Sequence, residues 1–230
     1  MNPGSAGRSS LPRVYLVRHG ETAWSLSGRH TGRTDLPLTP HGEDQARALR
    51  PTLHDVRFDH VLTSPLERAQ RTCALSGALS GALSGPLSEV RTVAEIDPDL
   101  AEWDYGDYEG MLSRDIRRQR PGWNCYRDGC PGGESPDGIG QRADRIIRRI
   151  GLLQGSIALF THGEFGCGLA ARWIGLPVLQ GEHLELGTAS VSILGFNPSH
   201  PDLAVIAQWN LVPGRPNDVR HSRSAAAVVS

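Results

Sequence analysis

Two similar tetrapeptides carry the residues best suited to chemistry in this sequence, Arg18-His19-Gly20-Glu21 and Thr161-His162-Gly163-Glu164. A neutral imidazole is a competent nucleophile near neutral pH. An Arg guanidinium matches phosphate oxygens with paired, charge-assisted hydrogen bonds. A Gly after each His lets the backbone come close to a ligand. Ser64-Pro65-Leu66-Glu67-Arg68 adds a second Arg. Together these residues suit phosphoryl transfer, which is catalysed mainly by positioning and by offsetting charge on the equatorial oxygens. The leaving alkoxide needs an acid, and Leu100-Ala101-Glu102-Trp103 offers Glu102. Its apolar and aromatic neighbours would partly desolvate it and keep it protonated. Asp97, Asp99, Asp104 and Asp107 compete for that role on sequence grounds. Taken singly, each candidate has a plain structural reading: a strand-end His, a surface-helix Arg, packing aromatics. The case rests on their convergence.

The surrounding elements predict that convergence. Val14-Tyr15-Leu16-Val17, Val61-Leu62-Thr63 and Ile157-Ala158-Leu159-Phe160 are short apolar runs that read as buried strands, and each runs directly into a candidate segment. Thr39-Pro40 opens a helix with Thr as N-cap and Pro at its first position, with Ala46, Leu49 and Leu53 on its apolar face. Ser64 to Glu67 reads as a capping box that starts a helix carrying Arg68. A third strand is expected near Arg91 to Ala94, an amphipathic helix from Asp137 to Leu153, and another helix from about Glu164 to Ile174. Residues 190–196 and 203–209 read as an antiparallel pair. Residues 75–88 hold a short Leu-Ser-Gly-Ala repeat, read as a low-complexity helix tail or loop. Residues 21–38 read as a polar loop. Residues 97–136 read as a long irregular stretch, with Ser113 capping a short helix to about Gln119. The expected fold class is α/β, three-layer, with a central, mostly parallel mixed sheet and helices on both faces. Ligands of such sheets bind beyond the carboxyl ends of the strands. One domain over residues 13–212 is expected, with a flexible lead at 1–12 and a flexible tail at 213–230.

Composition narrows the alternatives. The 230 residues have a formal net charge of -1, so no nucleic-acid or membrane partner is expected. All 24 basic residues are Arg, which excludes Schiff-base and P-loop lysine chemistry. Cys73, Cys125, Cys130 and Cys167 lack C-x-x-C spacing and read as reduced structural thiols. With no apolar run of transmembrane length and no signal-peptide pattern, the expected location is cytoplasmic.

Leu16-Val17-Arg18-His19-Gly20-Glu21-Thr22 resembles the signature of the histidine phosphatase superfamily, also called phosphoglycerate-mutase-like. Thr31-Gly32, Ser64 to Ala69, Glu102, Gly133-Glu134-Ser135 and Thr161-His162-Gly163 follow in that family's order. The resemblance covers about residues 13–210. The segments at 21–25 and 100–106 look most like the family's actinobacterial acid phosphatases, and are also similar to its sugar-bisphosphate phosphatases. The resemblance implies that His19 becomes phosphohistidine. It implies that Arg18, Arg68 and His162 hold the phosphate with Ser25, Thr31, Gly32 and Gly163 around it. It implies that Glu102 protonates the leaving group and then activates water, and that no metal or cofactor is needed. Two positions depart from the common pattern: Ser25 stands where many members have Asn, and His30 where an aromatic is common. The family's mutases typically carry Arg-His-Tyr-Gly after the acid Glu and use Lys. Here Trp103-Asp104-Tyr105-Gly106 occupies that place, which favours hydrolysis.

The expected activity is therefore that of a phosphomonoesterase on a small phosphorylated metabolite. Its pH profile should be bell-shaped, with an acidic to near-neutral optimum. A phosphoglycerate mutase and a catalytically silent binding module are the alternatives, and a metallophosphatase is a weaker one. Trp24, Arg29, His30, Trp103, Tyr105, Tyr108, Trp123, Cys125 and Tyr126 are candidates for the pocket wall. An edge strand within 189–209 could pair across a homodimer.

Overall fold

The computed structural model describes residues 11–80 and 93–213. In chain order the elements are β1 (Arg13–Arg18), α1 (Ala23–Ser27), α2 (Pro40–Ala48), α3 (Arg50–Leu53), β2 (His60–Thr63), α4 (Glu67–Leu75), β3 (Glu95–Ile96), α5 (Ser113–Gln119), α6 (Cys125–Asp128), α7 (Pro136–Ile150), β4 (Ser156–Thr161), α8 (Gly163–Trp173), β5 (Val191–Phe196) and β6 (Ala204–Leu211). The six strands form one sheet in the order β3-β2-β4-β1-β5-β6. The first four are parallel, and β5 and β6 run antiparallel. This is the expected mixed α/β architecture.

The two-residue period of the strands divides the core. Val14 and Leu16 of β1, with Ile157 and Leu159 of β4, face Ile139, Ala143, Ile146 and Ile150 of α7 and Leu169 of α8. Tyr15, Val17, Ala158 and Phe160 point the other way, toward Leu49, Leu53 and Cys73. Each fully buried Leu of this kind stabilises the fold by about 1.5–3 kcal/mol. Helices therefore cover both faces, and β1, β2 and β4 end at one sheet edge.

The caps explain several boundaries. Thr39 accepts from the Gly42 N–H at 2.9 Å, with Pro40 at the first helical position, as expected. Ser135 does the same for α7 through Gly138, so that helix starts before Asp137. The segment read as a plain loop at 21–38 contains α1, capped by reciprocal Thr22 and Ser25 bonds.

Three expectations need correction. Ser64 does not cap α4: Leu66 occupies the N-cap position, and Asp35 accepts the Glu67 N–H at 2.9 Å. The Ser64 hydroxyl is bonded to His162 instead. Ser113 is the first residue of α5 rather than its cap, and its hydroxyl meets His30 at 3.0 Å. The third strand is Glu95–Ile96, paired with Leu62 and Thr63, and Val93 and Ala94 precede it. Its exposed, charged Glu95 is bonded to Arg149, which hid this edge strand from an apolar-run reading. Part of the 75–88 repeat, at 81–88, and most of the expected lead and tail lie outside the described residues. Among the described residues no helix is long and apolar enough to cross a membrane.

The loop after β1 packs onto the start of α2 with no room for a side chain. A Cβ at Gly42 would overlap the Glu21 carbonyl, whereas one at Gly140 in α7 would meet only Val178, at 3.8 Å. Gly42→Ala should cost about 1–3 kcal/mol of stability through overpacking. Gly140→Ala should stabilise by up to about 1 kcal/mol through helix propensity. Chemical denaturation of the two variants should give shifts of opposite sign.

Candidate active site

His19 follows the last residue of β1, and its backbone N–H is bonded to Thr161 of β4 at 3.0 Å. Its ring Nδ1 lies 2.7 Å from the Gly20 carbonyl. A carbonyl only accepts, so Nδ1 carries the proton and the Nε2 lone pair is left for chemistry. His19 is 4% exposed and lines a small cleft with Arg18, Arg29, His30, Glu102 and Glu164. Burial first, then the charges of Arg18 and Arg68, hold its pKa well below the usual imidazole value. The ring is therefore neutral at physiological pH.

Arg18 extends from the end of β1 into the same cleft. One Nη is bonded to the Leu186 carbonyl, while its buried Nε has no hydrogen-bond partner among the described residues. Buried donors are nearly always satisfied, so an unpaired guanidinium N–H beside His19 suits an anionic oxygen. Gly163 leaves space for this guanidinium, since a Cβ there would lie 3.2 Å from Arg18 Cζ.

Arg68 is fully buried in the first turn of α4. Its Nε donates to His162 Nδ1 at 3.2 Å, one Nη to the Thr34 carbonyl at 2.9 Å, and the other to the carbonyls of Thr31 and Gly32 at 3.0 and 2.9 Å. Because Nδ1 accepts, His162 Nε2 carries the proton and donates to Ser64 Oγ at 2.7 Å. Burial, Arg68 and His19 together push the His162 pKa well below its usual value. The two imidazole rings are 5.1 Å apart. Arg68 and His162 thus reach the site, but their polar atoms are engaged with protein groups here. They position the loop at 31–34 and the floor of the cleft.

Thr31 lines the cleft. The backbone of Gly32 is fully used, its carbonyl by Arg68 and its N–H by Glu109 at 2.9 Å. Glu109 also takes the Thr34 N–H, at 3.0 Å. Ser25 lines the cleft with a hydroxyl bonded to Thr22 in the α1 cap.

Glu102 lines the same cleft as His19. Its Oε1 accepts from the Trp103 and Phe165 N–H groups, both at 2.9 Å, and its Oε2 from the Glu164 N–H at 3.2 Å. Two of these donors belong to the first turn of α8, where helical N–H groups lack partners. Burial and the neighbouring Glu164 charge raise its pKa to about 7, despite the opposing Trp103 and Phe165 bonds. The rival carboxylates are used elsewhere or lie off the cleft. Asp97 pairs with Arg149 at 2.6 Å, Asp99 with Arg145 at 2.7 Å and Asp104 with Arg33 at 2.8 Å, and Asp107 sits against Gly132.

Of the expected wall residues, Arg29, His30 and Tyr105 line the cleft, and Trp123, Cys125 and Tyr126 line an adjoining cavity. Trp24 packs against Gly110. Trp103 is fully buried and donates to the Glu134 carbonyl at 3.0 Å. Sequence reading missed Arg142, which reaches from α7 to the carbonyls of Asp99 and Ala101 at 2.8 Å each and to that of Glu102 at 3.2 Å. It also pairs with Glu134 at 2.8 Å. An Arg on an amphipathic helix reads as surface, and nothing local marks it as the clamp behind Glu102.

Residues 14–209 match the family described as Histidine phosphatase superfamily (branch 1). The chain is 37% identical over 198 residues to an acid phosphatase of Mycobacterium tuberculosis, covering 84% of this chain and 91% of that protein. It is 40% identical over 195 residues to the sedoheptulose 1,7-bisphosphatase of Saccharomyces cerevisiae, covering 74% of this chain and 70% of that protein. A solved structure of a Mycobacterium tuberculosis open-reading-frame product superposes with a TM-score of 0.77 at 34% identity, covering 90% of this chain and all of that one. With these matches added to a buried, neutral His pair and a carboxyl group in the same cleft, the chain belongs to the histidine phosphatase superfamily, and its relatives include phosphatases.

Proposed function

We propose that the protein is a phosphomonoesterase that hydrolyses a small phosphorylated metabolite through a phosphohistidine on His19. The observation that carries this reading is the presence, in one cleft, of an imidazole whose Nε2 has no hydrogen-bond partner among the described residues and a carboxyl group raised to about 7. The nucleophile is ready without a base and the acid is ready without a metal. The acid phosphatase and bisphosphatase relatives support hydrolysis as the reaction type.

In the first step His19 Nε2 attacks phosphorus as the bond to the alcohol oxygen breaks, and the Glu102 proton passes to that oxygen. In the second, Glu102 takes a proton from water, the water oxygen attacks phosphorus, and the phosphorus–nitrogen bond breaks. Arg18 Nε faces the phosphoryl oxygens throughout, with Arg29 at the mouth of the cleft. Arg68 and His162 support this arrangement from beneath.

The pH dependence follows from the two shifts. His19 is neutral above a pKa that lies well below 6.5, and Glu102 is protonated below about 7. The rate should be flat in mildly acidic solution and fall as pH rises through about 7. Glu102→Gln should remove that alkaline limb. It should lower kcat for an alkyl phosphate on the order of 10²–10⁴-fold, with a smaller loss for an activated aryl phosphate, whose leaving group needs no proton. A rate still climbing above about pH 9 would contradict the assignment.

The direct test is hydrolysis of an aryl phosphate in the presence of a chelator. Wild type should turn over and His19→Ala should not. Equal activity of the two would make the assignment of His19 wrong.

A further inference from the structure

The cleft at His19 opens sideways into a cavity of about 310 Å³, and Arg18, His30, Ser113 and Glu164 line both spaces. An ester with its phosphorus at His19 and its bridging oxygen at Glu102 can extend its alcohol portion into this cavity past Glu164, which lines both spaces. The backbone N–H of Glu164 is used by Glu102 at 3.2 Å. Its half-buried carboxylate has no hydrogen-bond or ion-pair partner among the described residues. The other charged or titratable groups of the cavity are differently placed. Arg18, which lines both spaces, has one Nη bonded to the Leu186 carbonyl and serves the phosphoryl group in the mechanism above, and His30 meets Ser113 at 3.0 Å. Glu182 is held by Asn124 at 3.0 Å and Arg127 at 3.4 Å, and Glu185 is exposed. Arg117 is also exposed, with its Nε bonded to the Trp123 carbonyl at 3.1 Å. Burial first, and then the Glu164 charge, raise the pKa values of Tyr105 and Cys125. An unpaired carboxylate next to Glu102 works against folding stability, and its placement makes sense in relation to a ligand.

We propose that Glu164 is a specificity-determining residue, admitting phosphate esters of uncharged polyhydroxy alcohols and rejecting those whose alcohol carries a carboxylate or second phosphate near the ester oxygen. This rests on the phosphomonoesterase reading above. A substrate hydroxyl donates a charge-assisted hydrogen bond to the carboxylate. A substrate anion in the same place meets a like charge in a site of low dielectric. Rejection of the wrong partner by a fixed repulsive group is a common source of selectivity.

Glycerol 3-phosphate and 3-phosphoglycerate differ only in a hydroxymethyl group against a carboxylate, and so isolate this effect. Their kcat/KM values should be compared at about pH 6, on the protonated side of the Glu102 titration. Dissociation constants for the same pair should be measured calorimetrically in an inactive His19→Ala background, with and without Glu164→Gln. Wild type should favour glycerol 3-phosphate by on the order of tenfold or more, and Glu164→Gln should bring the ratio within about threefold, mainly by improving 3-phosphoglycerate. An unchanged ratio overturns the proposal, including the case where both esters weaken equally. If wild type turns over no ester, the hydrolase reading fails by itself, and the ratio of dissociation constants still decides the role of Glu164.

Discussion

The fully buried guanidinium of Arg68 is the constraint around which the site is organised. A buried charge without partners costs several kcal/mol, so a fold that retains one must surround it with acceptors. Here the acceptors are three carbonyls of the loop at 31–34 and Nδ1 of His162. Each bond has a consequence elsewhere. The loop is drawn over the strand ends, where Glu109 holds its other side. The His162 proton is confined to Nε2, which claims the Ser64 hydroxyl. Ser64 is then unavailable to cap α4, and Asp35, from the segment following that loop, takes over. One side chain thereby ties together the ends of β2 and β4 and the connection between β1 and α2.

The same burial sets both proton inventories. Removing water disfavours the charged form of every group, so it lowers a base and raises an acid. His19 and His162 move down, helped by Arg18 and Arg68, while Glu102 moves up, helped by Glu164. A neutral nucleophile and a protonated acid then coexist over one range of pH. Separated environments for acid and base are a recurring way to assign such roles. The backbone N–H groups that hold Glu102 keep its carboxyl aimed while opposing the shift, which leaves its pKa near neutrality instead of far above it.

Much of this was legible in the sequence because it is local. Apolar runs marked β1, β2 and β4, and the words that follow them placed His19, Arg68 and His162 at one edge. Thr39-Pro40 carried its cap in adjacent residues. The apolar flanks of Glu102 made it the leading candidate acid, but four neighbouring Asp residues competed with it on sequence grounds, and only the structure finds those in ion pairs or off the cleft. Partnerships over long separations had no such signature. Asp35 caps a helix 32 positions away, Glu109 holds a loop 77 positions away, and Arg142 clamps a segment about 40 positions away. The Ser64 cap failed because a tertiary bond outcompeted a local one. The short edge strand β3 was displaced from its expected position because both its residues are exposed and one of them, Glu95, is charged.

The central claim is a covalent intermediate on His19. Wild-type enzyme turning over a radiolabelled phosphate ester should be quenched in alkaline denaturant and its labelled peptide mapped. The account predicts an acid-labile, alkali-stable label on the peptide containing His19. The label should be absent from His19→Ala and accumulate further in Glu102→Gln with an activated ester, where the second step lacks its base. Rapid turnover with no trapped label in either enzyme, or a label on a residue other than His19, would contradict it.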